Sequence, residues 1–130
     1  MPLTNPPSAL APYSAAWDLL TFSLWVADRK GEVLWANTAT EMLVGRSRRA
    51  IVGEGFVNYF PESAPWLDEK IASQDTTGQM AGSLWVYRPG GRKETVKVQL
   101  AFSPFPASES LPQGGVLIEI GVLEETLVQE

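Results

Sequence analysis

The sequence has no histidine and no cysteine. Without histidine it lacks the commonest general base, the commonest metal ligand and the usual axial ligand of haem. Without cysteine it has no disulfide, no thiolate nucleophile and no site for a covalent thiol adduct. Apolar runs are short as well. None approaches the roughly 20 residues that a membrane span requires, and the first residues lack the basic and apolar regions of a signal peptide. A cytoplasmic chain is therefore expected, with no membrane contact, no metal and no bound cofactor.

What is present fits one domain. The chain has 130 residues, of which 45% are hydrophobic and 19% charged, and its net charge is −5. That length supports a single buried core. An acidic balance argues against a nucleic-acid partner, which calls for a basic stripe. Charge is uneven along the chain. Arg29, Lys30, Arg46, Arg48 and Arg49 crowd the stretch from Arg29 to Arg49, whereas Ser108–Glu130 carries glutamates and nothing basic.

Residues 1–12, with their prolines and no charge, read as a flexible arm. Tyr13, Ala16, Trp17 and Leu20 have the one-face spacing of a short helix, with Ser14 as its cap. Leu24–Asp28 and Glu32–Ala36 read as strands joined by a tight Asp28–Gly31 turn. Asn37 stands where a helix cap belongs, before Thr38–Val44 with Ala39, Met42 and Leu43 on one face, and Gly45 ends that helix. Ser47–Val52 makes one turn. Phe56, Tyr59 and Phe60 form an apolar cluster, and a helix with Pro65 in its first turn carries Trp66, Leu67, Ile71 and Ala72. Gln79–Arg88 and Lys93–Phe102 are strands, the latter placing Val96, Val98, Leu100 and Phe102 opposite Thr95, Lys97, Gln99 and Ala101. Ser103–Gly115 reads as a loop and Gly115–Gly121 as the last strand. Leu123 and Leu127 have helical spacing in a final segment.

Helix, two strands, several helices, three strands and helix make an α+β fold. Two strands cannot stand alone, so all five join one antiparallel sheet with the helices over one face. This order, with Trp25-Val26-Ala27-Asp28-Arg29-Lys30-Gly31-Glu32-Val33-Leu34-Trp35-Ala36-Asn37 and the Leu43-Val44-Gly45 helix end, resembles a PAS domain. The resemblance covers about Trp17 to Gly121. It implies a PAS fold over 13–121, flanked by an N-terminal helix and, over 122–130, by the start of an output helix. PAS domains commonly close on an Asp-Ile-Thr triplet, and Gly121-Val122-Leu123 stands there instead. Gly115-Val116-Leu117-Ile118-Glu119-Ile120 with Leu123-Glu124 is similar to the end of the PAS domain in nitrogen-regulation sensor kinases of the NtrB family. So is the Val96–Pro104 stretch with its Ser-Pro.

That likeness implies a regulatory input domain of a two-component histidine kinase, dimerising and relaying a signal, with no catalysis in this chain. Autophosphorylation would belong to downstream kinase domains of the parent protein. Two alternatives are a small-metabolite sensor and an interaction module of a transcription regulator. The missing cysteine excludes flavin-adduct and coumaroyl photosensors, and the missing histidine removes the usual haem ligand of haem-based ones.

The expected ligand pocket would be lined by Phe56, Tyr59, Phe60, Trp66, Val98 and Leu100, with Asn58 and Gln99 as its polar candidates; a filled core is the other reading of the same residues. Trp17 and Leu20 are the candidate dimer interface over an aromatic outer sheet face, unless the chain's own helix covers that face. Gly121, Leu123 and Leu127 mark the signal exit, with Gly121 as hinge. Arg46, Arg48 and Arg49 read as a solvated helix end, or else an anion site.

Overall fold

The computed structural model describes residues 10–62, 65–73, 77–109 and 111–123. Its elements are α1 (Ala11–Trp17), β1 (Ser23–Asp28), β2 (Val33–Ala36), α2 (Thr38–Val44), α3 (Arg48–Ile51), a 3-10 turn (Phe56–Tyr59), α4 (Pro65–Ala72), β3 (Gly78–Tyr87), β4 (Lys93–Phe105) and β5 (Gly115–Val122). The five strands form one antiparallel sheet in the order β2-β1-β5-β4-β3. The first strand thus lies beside the last, at the centre, within the single antiparallel sheet expected.

Local chemistry explains the chain reversals. In the β1–β2 turn, one Asp28 carboxylate oxygen accepts from the backbone N–H of Lys30 and of Glu32, both at 2.9 Å. Gly31 takes φ 92°, a left-handed conformation that costs glycine nothing. Arg29 reaches from the same turn to the carbonyl oxygens of Ile71 and Ser73, at 3.2 and 2.6 Å, and anchors the end of α4. Ser47 caps α3 through Ala50 N–H.

The inner face of the sheet is buried under α2, α3, the 3-10 turn and α4. Trp25, Ala27, Val33, Leu84, Val86, Val98, Leu100, Phe102, Val116, Ile118 and Ile120 meet Val44, Ile51, Phe56, Tyr59, Phe60, Leu67 and Ile71 there. A second, smaller apolar layer lies on the outer face, where Leu10, Val26, Trp35, Phe105 and Leu111 are buried with Trp17, Leu34 and Leu117 against them.

Several expected boundaries shift, each for a physical reason. Helix α1 begins at Ala11, inside the segment read as an arm, because Leu10 is fully buried in the outer layer and Pro12 suits a first turn. Ser14 lies inside that helix and does not cap it. Strand β4 runs on to Phe105 through Pro104, which pairs with Val116. Gly78, the first residue of β3, already faces Phe102. Beyond that point β4 has no strand partner on this side among the described residues, and a residue without an N–H is tolerated there. Met42 is 79% exposed, while Thr40 and Val44 form the buried side of α2. Strand β5 continues one residue past Gly121.

Candidate functional site

The residues expected to line a pocket come together, except for one that lies outside the described side chains. Phe56, Tyr59, Phe60, Val98 and Leu100 are buried in the inner core. Trp66 lies on α4, with its side chain outside what the structure describes. The rings of the cluster contact one another. Phe56 stands edge-on to Trp25 at 5.1 Å between centroids, Tyr59 meets Trp25 at 5.2 Å, and Phe56 meets Phe60 at 5.0 Å. These are favourable aromatic spacings. Asn58, one polar candidate, is exposed; Gln99 is half-buried on the outer face.

One polar group in this cluster went unsuspected. Tyr59 Oη donates to Glu54 Oε1 at 2.7 Å and accepts from Arg46 Nη1 at 3.1 Å, while Arg46 also pairs with that carboxylate at 3.2 Å. The Arg46 guanidinium lies 4.9 Å from the Tyr87 ring centroid. Burial, and then the hydrogen bond to Glu54, raise the phenol well above its ordinary pKa. Arg46 is therefore part of a built cluster over the sheet and is no solvated helix end.

Arg48 is also committed. Its Nη2 sits 2.7 Å from Asp18 Oδ1 and its guanidinium 4.7 Å from the Trp35 ring centroid. Asp18 closes α1, so this contact fastens the N-terminal helix to α3 and β2. Trp17 continues the attachment, 5.9 Å from Trp35, 6.4 Å from Phe105 and stacked on Tyr13 at 5.2 Å. The chain's own helix thus covers the Trp35 side of the outer face. Trp17 and Leu20 are both half-buried. Trp25 points into the inner core, and Trp85 lies on the outer side with Lys93 Nζ 4.8 Å from its centroid.

Asn37 does more than cap α2. Its Oδ1 accepts from Thr40 N–H at 3.1 Å and from Leu24 N–H at 3.0 Å, and its Nδ2 donates to Trp17 O at 2.9 Å and Phe22 O at 3.0 Å. Thr40 Oγ1 and Ser23 Oγ lie 2.7 Å apart, and Ser23 Oγ accepts from Trp25 Nε1 at 2.7 Å. Ser23, Asn37 and Thr40 are all buried. One polar knot therefore joins the end of α1, the start of β1, the start of α2 and a core tryptophan.

The knot stands next to the exit of the chain. Ser23 pairs with Ile120, and Thr21, Phe22, Ala39, Met42, Leu43, Gly121 and Val122 line one shallow groove. Gly121 lies within β5 opposite Gln99, its φ is not positive, and a Cβ there would meet nothing within 4 Å. Strand geometry holds this position, so the backbone has no need of glycine there. Leu123 N–H donates to Lys97 O at 3.0 Å, extending the ladder past the strand. Leu127 lies outside the described residues, as does the helix expected around it.

Among the described residues no group of three acidic, histidine or cysteine side chains could hold a metal ion, and no helix is long and apolar enough to cross a membrane.

The chain matches no family model and no curated protein. Solved structures do match. The PAS domain of an HTR-like protein from Haloarcula marismortui aligns with a TM-score of 0.68 at 15% identity, covering 89% of this chain and 93% of that one. The PAS domain of nitrogen regulation protein NR(II) from Vibrio parahaemolyticus aligns at 0.61 and 18% identity, over 85% and 96%. The Rhodobacter sphaeroides LOV protein aligns at 0.65 and 17%, over 91% of this chain and 69% of its own. The chain has the PAS fold: a five-stranded antiparallel sheet with helices over one face.

Proposed function

We propose that this chain is a sensory relay: a PAS input domain of a two-component histidine kinase, acting by coupling its N-terminal helix to its last strand. The adjacency of the two chain ends carries the reading. Ser23, where the chain comes in, pairs with Ile120, where it goes out, and the buried Asn37 knot holds Trp17 and Phe22 beside that pair. A shift of α1 therefore acts on the strand that leads out, through hydrogen bonds and without a bound molecule.

The nitrogen-regulation reading is the finer part of this proposal. Its supports are the Gly115–Ile120 and Leu123-Glu124 sequence and the structural likeness to NR(II) at 18% identity. Self-association and a cytoplasmic location belong to the same reading. The relay role is favoured over metabolite sensing because Trp25, Phe56, Tyr59 and Phe60 pack ring against ring between sheet and helices.

The test uses the protein joined to whatever follows Glu130 in its own reading frame. Labelling with ATP should yield base-stable, acid-labile phosphate, the mark of phosphohistidine. Asn37→Ala, which removes the hydrogen bonds that hold Trp17 O and Phe22 O, should change how labelling responds to removal of residues 1–20. Absence of phosphohistidine would sink the kinase part. Unchanged labelling in both variants would sink the relay.

A further inference from the structure

Strand β5 ends at Val122, opposite Val98, yet β4 extends beyond that pair toward the β3–β4 turn, from Lys97 back to Lys93. Strand β3 pairs with this stretch along one side. On the other side, among the described residues, its backbone makes a single bond, from Leu123 N–H to Lys97 O at 3.0 Å. A bare strand edge of this kind invites another strand.

Hydrogen-bond parity identifies the free groups. In an antiparallel pair, bonded positions recur at every second residue. Arg88 N–H donates to Arg92 O at 2.8 Å, so Glu94 and Val96 bond β3, and Thr95, like Lys97, turns its N–H and C=O to the β5 side. There Thr95 has no backbone partner among the described residues. The side chains are equally unmatched. Val96 and Val98 face the inner core, which puts Lys93, Thr95 and Lys97 on the outer face. Neither lysine is in an ion pair among the described residues.

We infer that this edge takes the chain's own residues 124–127, so that β5 continues along β4 and the carboxylate of Glu125 is held between Lys93 and Lys97. Register selects that residue. Val98 pairs with Val122, and Leu123 bonds Lys97. The same register carries on to Glu124 opposite Val96, Glu125 opposite Thr95, Thr126 opposite Glu94 and Leu127 opposite Lys93. The backbone of Glu125 thus meets the free N–H and C=O of Thr95. Its side chain falls on the outer face, with a lysine at each diagonal position, which long side chains reach across a strand pair. Glu124 falls on the other face two residues on from Val122, itself 54% exposed, and so keeps its water. The helical spacing of Leu123 and Leu127 offers the segment a different course, but a helix from Leu123 leaves Thr95 and both lysines unmatched. Nothing in this pairing depends on the chain's being a relay.

Backbone hydrogen exchange of the 130-residue chain, set beside the same chain ended at Leu123, tests this. Thr95 N–H should exchange about fivefold or more faster in the shortened chain, while Glu94 and Val96, bonded to β3, keep their rates. Within the full chain, Glu125→Lys should accelerate Thr95 by about two- to fivefold, and adding Lys93→Glu with Lys97→Glu should restore the slow rate. Carbon chemical shifts over 124–127 should be those of an extended strand. Equal Thr95 rates in the full and shortened chains, helical shifts over 124–127, or a Glu125→Lys chain that exchanges as the unaltered one does would each overturn the inference. The Glu125→Lys comparison needs no truncation, so it decides the matter even if the shortened chain is unstable.

Discussion

Gly45→Ala is the substitution whose effect follows most directly from geometry. Gly45 ends α2 at φ 79°, ψ 24°, and its N–H donates to Glu41 O at 2.9 Å. A side chain in that left-handed region costs about 1 kcal/mol relative to glycine. At Gly45 a second cost is added. A Cβ would lie 2.9 Å from the Tyr87 carbonyl carbon and well inside the radius of its oxygen. Both neighbours are backbone, so relief requires α2 to move away from β3. Overpacking of this kind costs about 1–3 kcal/mol, which brings the total to roughly 2–4 kcal/mol.

Gly53 provides the control. It has φ 96°, and a Cβ there meets nothing within 4 Å, so Gly53→Ala should cost only the conformational part, about 1 kcal/mol. Urea denaturation of both variants, read as midpoint shifts at a common slope, separates the two costs. If Gly45→Ala loses no more stability than Gly53→Ala, the helix-to-strand contact is not rigid and the argument fails.

Two further predictions rest on the polar clusters. Asn37→Ala strands two buried N–H groups and two carbonyls that its side chain satisfies, and should cost about 3 kcal/mol while accelerating amide exchange at Asp18 and Leu19; a loss under about 1 kcal/mol would reduce Asn37 to an ordinary cap. Tyr59, whose phenol is raised by burial and by Glu54, stays protonated in the folded protein at pH values where the unfolded chain ionises. Its stabilising contribution is thus whole below about pH 10 and is lost as pH rises above it. Tyr59→Phe should flatten the alkaline limb of a stability–pH curve, and parallel curves for the two proteins would contradict this.

The sheet was legible where its signals are local. Asp28 and Gly31 announce the first turn, and Val96, Val98, Leu100 and Phe102 alternate so regularly that their inner face needs no structure to find. Where one residue answers to a distant one, sequence spacing was silent or misleading. Thr40 looks like a surface residue, yet its hydroxyl bonds Leu24 O at 3.2 Å and takes the buried side of α2, which leaves Met42 outside. Arg48 and Asp18 are thirty positions apart, and their pairing depends on how α1 folds back over the sheet. Pro104 reads as a loop residue until its pairing with Val116 on β5 is known.

The aromatic contact between α1 and β2 has an optical consequence. Trp17 and Trp35, with centroids 5.9 Å apart and planes inclined at 50°, are close enough for their indole transitions to couple. Their joint circular dichroism exists only while the N-terminal helix is docked, because Trp35 is fixed in β2 and Trp17 travels with α1. The protein therefore carries a native chromophore pair that reports the position of its own first helix, without label or substitution.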